Sequence, residues 1–91
     1  MSDVIRVRVA VTGRVQGVWF RESCRRQATA HEVSGWVENC ADGTVLAVFE
    51  GSSPAVANMV AWCREGPPQA LVTDIEIIDE PPEQLRGFRV R

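Results

Sequence analysis

Apolar and polar side chains alternate along the first segment of the chain, from Val4 to Thr12. The two alternating sets are Ile5, Val7, Val9 and Val11 on one face and Arg6, Arg8, Ala10 and Thr12 on the other. A period of two is typical of a β-strand that is covered on one side only. The pattern therefore predicts a first strand whose valine-rich face points into a core.

Two later segments have helical spacing. The first is predicted to begin near Arg21 and to end near His31, with a weakly apolar inward stripe of Phe20, Cys24, Ala28 and His31. The second can be capped by Ser52 or Ser53, has Pro54 in its first turn and ends at Gly66. Its core-facing stripe is Val56, Met59, Val60 and Cys63.

Strand patterns fill the remaining positions. A hairpin is predicted with strands at 35–39 and 44–50, turned around Asp42-Gly43. A further strand is expected at 71–78, and Phe88 and Val90 supply a short last one, whereas the prolines make "DEPPEQLRG" a loop. The order β-α-β-β-α-β, with a final strand that can be split, predicts an α+β two-layer sandwich. Its two helices would cover one face of an antiparallel sheet.

Composition sets limits on function. A chain of 91 residues is expected to form a single domain, spanning 1–91, and its 45% hydrophobic and 24% charged residues are ordinary for a globular protein. The formal net charge is −2, so nothing attracts nucleic acid or anionic membrane to the whole surface. Any anion site must therefore be local. All ten basic residues are arginine.

The sequence also bears on location. Arg6 and Arg8 interrupt the N-terminal apolar residues, so no signal peptide is expected, and no apolar run approaches the roughly 20 residues of a membrane span. Cys24, Cys40 and Cys63 are an odd number without C-x-x-C spacing, which argues against a disulfide framework or a zinc site. A cytoplasmic protein with reduced thiols is the expectation.

The stretch "GRVQGVWFR", residues 13–21, lies between the first strand and the first helix. Gly13 and Gly17 allow tight turns, helix N-terminal amides favour an anion, and Arg21 offers a planar fork of donors that fits a phosphate. A nucleotide P-loop is excluded because G-x-x-x-x-G-K-[ST] does not occur. The spacing alone leaves two alternatives open: a cradle for one phosphoryl or carboxylate group, or an ordinary β–α connection.

"GRVQGVWFR" closely resembles the first conserved motif of the acylphosphatases, and "GWVENCADGTV", residues 35–45, resembles the second. "EG" at 50–51, "GPPQALV" from Gly66 and the final "FRVR" are also similar to family features, so the resemblance covers nearly the whole chain. It implies a ferredoxin-like sandwich that hydrolyses acyl phosphates to a carboxylate and inorganic phosphate, without a metal or cofactor.

The resemblance also assigns roles. Arg21 resembles the family's phosphate-binding catalytic residue, and Asn39 resembles the residue that orients the attacking water. The backbone amides that match the family's phosphate cradle are those of Val15, Gln16, Gly17, Val18, Trp19 and Phe20. Strand alternation places Asn39 on the inner face with Val37, and Glu38 on the opposite face with Trp36 and Cys40. Trp19, within the cradle, could shield the acyl end of a substrate or merely pack on its neighbours.

A site made of one arginine, one asparagine and backbone amides is sufficient only for an activated substrate. The leaving group of an acyl phosphate is a carboxylate, already stable at neutral pH, so catalysis reduces to stabilising phosphoryl charge and aiming a water. The alternative is a non-catalytic, anion-binding regulatory domain of the same fold. A nucleic-acid-binding module is less favoured, because the outward positions of the first strand carry no aromatic residue on which a base could stack. A monomer that acts on a small molecule is expected.

Overall fold

The computed structural model describes residues 4–91, which form five strands and two helices. The elements are β1 (Val4–Arg14), α1 (Phe20–Ala30), β2 (Ser34–Asn39), β3 (Val45–Ser52), α2 (Ser53–Glu65), β4 (Leu71–Glu80) and β5 (Phe88–Val90). The predicted order β-α-β-β-α-β is confirmed, and the split final strand is real: its two parts are β4 and β5. No helix in this part of the chain is long and apolar enough to cross a membrane.

The strands form one sheet in the order β4-β1-β3-β2-β5. The prediction of a wholly antiparallel sheet is wrong at one edge, because β5 pairs with β2 in parallel, with Gly35 opposite Phe88 and Val37 opposite Val90. The other three pairings are antiparallel. Since β4 and β5 lie at opposite edges, residues 81–87 must carry the chain from one edge of the sheet to the other. We call this segment the strap.

Both helices bury their apolar stripes against one face of the sheet. Helix α1 packs on β2 and β5, and α2 packs on β1, β3 and β4. The largest fully buried side chains of the common core include Phe20, Phe49, Met59, Val9, Val11, Val37, Cys24 and Cys63. Burial raises the pKa of the Cys24 thiol well above its ordinary value, and the Cys63 thiol beside it adds to the shift. The prediction that these two cysteines belong to the core is confirmed.

The ends of the elements differ from the predictions in a few places. Helix α1 begins at Phe20, and His31, predicted in its buried stripe, is exposed and caps the helix by donating its backbone N–H to the carbonyl of Gln27. Ser52 is the N-cap of α2, because its hydroxyl accepts from the N–H of Ala55 at 3.3 Å. Ile5, predicted inward, is 37% exposed near the start of β1.

The face of the sheet without helices is not simply open to water. Arg6 alternates onto that face as predicted, yet it is only 6% exposed. Its Nε donates to Glu80 at 2.9 Å, and Glu50, also buried, lies 3.8 Å from its Nη1. The carboxylate of Glu50 accepts the strap's backbone N–H groups of Glu83 and Leu85 at 2.8 and 2.9 Å. The strap thus covers an ionic cluster that strand alternation could not reveal.

Candidate active site

The β1–α1 loop, residues 15–19, is fixed by the side chains that it buries. Val15 and Val18 belong to the core, so the residues between and after them are turned outward. Gly17 and Trp19 have φ angles of 75° and 66°. A glycine tolerates this left-handed conformation, and a tryptophan adopts it only at a cost of about 1–2 kcal/mol.

The outward turn leaves backbone donors free. Within residues 4–91, the N–H groups of residues 16–20 donate to no acceptor. Trp19 is the N-cap of α1, and its side chain makes no capping hydrogen bond. Free amides at the positive end of a helix dipole attract an anion. The loop therefore has the donors that a phosphate cradle requires.

Arg21 and Asn39 come from separate elements. Arg21 lies in the first turn of α1, and its Nη1 donates to the backbone carbonyl of Arg91 at 3.2 Å. Asn39 is the last residue of β2 and faces inward with Val37. Its side-chain amide makes no hydrogen bond within the described part of the chain, so both its donor and its acceptor remain available.

One cleft of about 340 Å³ gathers most of these groups. Its lining residues are Val15, Gly17, Trp19, Phe20, Arg21, Glu22, Asn39 and Val90. Six of the eight residues predicted for the site therefore meet at one place. The other two, Gln16 and Val18, do not line it: the side chain of Val18 is buried in the core, and that of Gln16 points elsewhere.

Gln16 directs its side chain toward the β2–β3 turn. Its Nε2 donates to the carbonyl of Cys40 at 2.8 Å and to the carbonyl of Thr44 at 3.0 Å. Sequence reasoning assigned only the backbone amide of Gln16. Nothing local in the sequence indicates that a glutamine contacts residues 24 and 28 positions away.

Glu22 is a cleft residue that sequence reasoning missed. Its carboxylate accepts from Arg25 Nε at 3.0 Å and from Arg26 Nε at 3.3 Å. The hydrogen bond with Arg25 is the largest of the effects that lower the pKa of Glu22 to about 2. Glu22 is therefore ionised at neutral pH and cannot act as a general acid there. Its i, i+3 and i, i+4 spacing to the two arginines was the signal that could have identified it.

Glu38 lies on the opposite face, as alternation predicted. It is 3.3 Å from Arg91 Nε, and the Arg91 guanidinium covers the ring of Trp36, with Cζ 4.3 Å from the ring centroid. An arginine therefore compensates the negative charge of Glu38. Arg91 connects the two faces, because its side chain holds Glu38 and Trp36 while its backbone carbonyl accepts from Arg21.

The cleft thus defines a class of site that suits a phosphoryl group: a loop with free amides, one guanidinium and one free carboxamide. Among residues 4–91, no group of three or more His, Cys, Asp or Glu side chains is arranged to hold a metal ion. The acylphosphatase family model matches residues 7–90.

Individual relatives agree. An acylphosphatase of Rubrobacter xylanophilus is 56% identical, over 94% of this chain and 79% of its own length. One of Trichormus variabilis is 53% identical, over 99% of this chain and 89% of its own. The solved structure of an acylphosphatase from Coxiella burnetii superposes with a TM-score of 0.94 at 38% identity and covers 98% of this chain and 94% of that one. The chain belongs to the acylphosphatase family.

Proposed function

We propose that the cleft hydrolyses acyl phosphates, with the phosphoryl group held by the β1–α1 loop and Arg21 and the water held by Asn39. The chain is an acylphosphatase by family, which establishes the reaction. The assignment of roles rests on one observation: the loop, the guanidinium and an unbonded carboxamide line the same small cleft. A regulatory domain that only bound anions would have no need of Asn39 there.

Binding comes first. The free amides of the loop residues that line the cleft, Gly17, Trp19 and Phe20, donate to the non-bridging phosphoryl oxygens, and Arg21 supplies two parallel N–H donors and a full positive charge. As the phosphoryl group passes through a loose transition state, charge remains on these oxygens and the donors are already aligned. The carbonyl of Arg91 orients the guanidinium by accepting from its Nη1.

Hydrolysis then needs one aimed water. The carboxamide oxygen of Asn39 accepts a hydrogen bond from the water, which attacks phosphorus in line with the bond to the acyl oxygen. A bond forms between the water oxygen and phosphorus, and the bond between phosphorus and the acyl oxygen breaks. The electron pair of the broken bond leaves with the carboxylate. The water's proton ends on the phosphate product. No general acid is needed, because a carboxylate is a stable leaving group.

We also propose the setting in which the protein works. Its three cysteines are free thiols, which supports a reducing cytoplasm. A monomer without a cofactor is proposed because the loop, Arg21 and Asn39 of one chain meet in the cleft, so the proposed reaction requires no second protomer. Nucleic acid is not the expected partner, because the Arg91 guanidinium already covers a face of Trp36, the aromatic residue on the helix-free side.

The test is phosphate release from benzoyl phosphate, with a chelator present, by the wild type, Arg21→Ala and Asn39→Ala. Each variant should lose roughly a hundredfold or more in kcat, by analogy with the loss of one oxyanion donor. Arg14→Ala and Asn58→Ala are matched controls, since both residues are exposed, lie outside the cleft and make no side-chain hydrogen bond or ion pair within the described chain. They should retain wild-type turnover.

The outcomes separate the alternatives. Benzoate and phosphate must appear in equal amounts, and in H₂¹⁸O the label must enter phosphate. A trapped phosphorylated enzyme would contradict direct attack by water. Full activity in Asn39→Ala would move the water-orienting role to another residue, and phosphate binding without turnover by the wild type would favour the regulatory domain.

A further inference from the structure

We infer that Gln16 is a positioning residue for Asn39, acting through its side chain rather than its backbone amide. The inference rests on the proposed function. The carboxamide nitrogen of Gln16 has two hydrogens and two acceptors, the carbonyls of Cys40 and Thr44 at 2.8 and 3.0 Å. Its donor capacity is therefore fully used in one place, and that place is the β2–β3 turn.

The two carbonyls flank the catalytic position. Cys40 directly follows Asn39, and Thr44 directly precedes Val45, the residue opposite Asn39 in the β2–β3 ladder. The turn is also closed within itself, since the N–H of Cys40 donates to the carbonyl of Thr44 at 2.8 Å. Gln16 therefore forms hydrogen bonds to both ends of a closed turn, and any displacement of that turn relative to the loop would move Asn39.

The side chain of Gln16 also attaches the β1–α1 loop to the β2–β3 turn. Among the residues described, its carboxamide makes the loop's only side-chain hydrogen bonds to the β2–β3 turn. The free backbone amides belong to the same few residues, two of which, Gly17 and Trp19, have positive φ. The side chain of Gln16 thus fixes the distance between the loop, which holds the phosphoryl group, and Asn39, which holds the water.

Such a distance matters because in-line attack tolerates little error. A misplacement of about 1 Å can lower a rate by roughly a hundredfold. Asp42 strengthens the other side of the connection, since it accepts from the N–H and hydroxyl of Thr44 at 3.0 and 2.7 Å. The turn is consequently a stiff body, so the bonds from Gln16 place it as a unit.

The test compares Gln16→Met, which keeps length without a donor, in the wild-type and Asn39→Ala backgrounds. In the wild type, kcat for benzoyl phosphate should fall by roughly tenfold to a hundredfold. KM and inhibition by inorganic phosphate should stay within about twofold, because the backbone cradle persists. In the Asn39→Ala background the same change should leave the residual kcat almost unaltered, since there is no side chain left to position. Gln69→Met, at an exposed glutamine whose side chain makes no hydrogen bond in the described chain, is the control.

A second variant, Gln16→Glu, tests the inference independently if Gln16→Met folds poorly. In Gln16→Glu the carbonyls oppose ionisation, so the pKa of the new carboxyl should rise above about 4.3, and its protonated form can donate one hydrogen bond. Its kcat relative to the wild type should therefore increase as the pH is lowered from 7 to 5. A merely structural role would give no such profile.

Three results would overturn the inference: equal fold losses of kcat in both backgrounds, a raised KM with unchanged kcat, or wild-type kinetics in Gln16→Met. Absence of turnover in the wild type itself would be a different failure, because it would remove the proposed function on which the inference rests. Loss of kcat confined to the background that contains Asn39 would support both.

Discussion

Trp19 combines strain with exposure at the mouth of the cleft. Its φ of 66° holds it in the left-handed region, and 74% of its surface is exposed although it lines the cleft beside Val90. In the proposed mode of binding, the loop holds the phosphoryl end of the substrate, so the acyl end extends past these side chains. An exposed indole there is placed to stack on an aromatic acyl group.

Replacing Trp19 by Ala should therefore change substrate preference. The kcat/KM for benzoyl phosphate should fall roughly fivefold, because an aromatic contact contributes about 1 kcal/mol. Acetyl phosphate has no ring to stack, so its kcat/KM should change by less than about twofold. Trp19→Phe is the matched variant and should retain most of the preference. Equal losses with both substrates would show instead that the indole only supports the loop.

The strap joins the two edges of the sheet, and β5 depends on it. The strap's backbone N–H groups of Glu83 and Leu85 donate to the carboxylate of Glu50 in β3. The neighbouring guanidinium of Arg6 attracts that carboxylate in turn. Arg6 Nη1 is buried without a hydrogen bond among the described residues, and its nearest carboxylates are Glu83 at 3.5 Å and Glu50 at 3.8 Å. The cluster is therefore sensitive to the loss of any negative charge.

Glu50→Gln should destabilise the fold. The change removes a negative charge next to the buried Arg6 guanidinium. It also replaces one of the two carboxylate oxygens that accept from the strap's backbone N–H groups by an NH₂ group, which can only donate. Breaking a buried ionic partnership costs about 3–5 kcal/mol, and since Arg6 keeps Glu80 we expect a loss of about 2–3 kcal/mol in the free energy of unfolding. Urea denaturation measures it. Glu65→Gln, at the exposed end of α2, should change stability by less than about 0.5 kcal/mol.

The strap also shows where sequence reasoning stops. Periodicity, Ser52 as a cap and Gly66 as a helix end are local signals, and they predicted both helices and four strands within a few residues. Phe88 and Val90 indicated the short last strand, but the partner of Phe88 is 53 positions away, so its parallel pairing with β2 was missed. Arg6 was assigned to the correct face, but its burial comes from the distant strap.

The site divides in the same way. Arg21, Asn39 and the loop were predicted by resemblance to whole motifs, and the cleft brings most of those residues together. The groups that orient them are non-local: the carbonyl of Arg91 for Arg21, and the side chain of Gln16 beside Asn39. Their hydrogen bonds exist only after the sheet has formed. A sequence pattern can therefore name the chemistry, whereas the distances that it requires are properties of the fold.

The charge pattern of the whole molecule predicts how it responds to acid. Hydrogen bonds and nearby arginines lower the pKa of Glu22 to about 2, chiefly through Arg25. They also lower the pKa of Glu80, chiefly through Arg8 and Arg6. Hydrogen bonds from the Thr44 side chain and backbone lower the pKa of Asp42. Each of these carboxyls binds a proton more readily in the unfolded chain than in the folded one.

The sign of the effect follows from this difference. When the unfolded chain binds more protons, the free energy of unfolding rises with pH. The contribution of these three groups is complete above their ordinary values of 4.5 for glutamate and 3.8 for aspartate, and each is lost as the pH falls through the lowered pKa of the folded state, which is about 2 for Glu22. Protonation also removes the negative charges that balance ten arginines, so repulsion adds to the loss.

Urea unfolding should therefore show that these carboxyls add no slope between pH 5.5 and 8, and that stability falls steeply from pH 5 to pH 2. Glu80→Gln tests the origin of that fall, because it removes a carboxylate that bonds Arg6 at 2.9 Å and Arg8 at 2.7 Å. The variant should be less stable than the wild type at pH 7, and the two curves should converge as the pH falls through the lowered pKa of Glu80, where the wild type also loses this charge. Glu76→Gln, on the same strand and without an ion pair in the described chain, should follow the wild type. A difference between Glu80→Gln and the wild type that persisted unchanged at pH 2 would mean that packing, rather than charge, makes Glu80 matter.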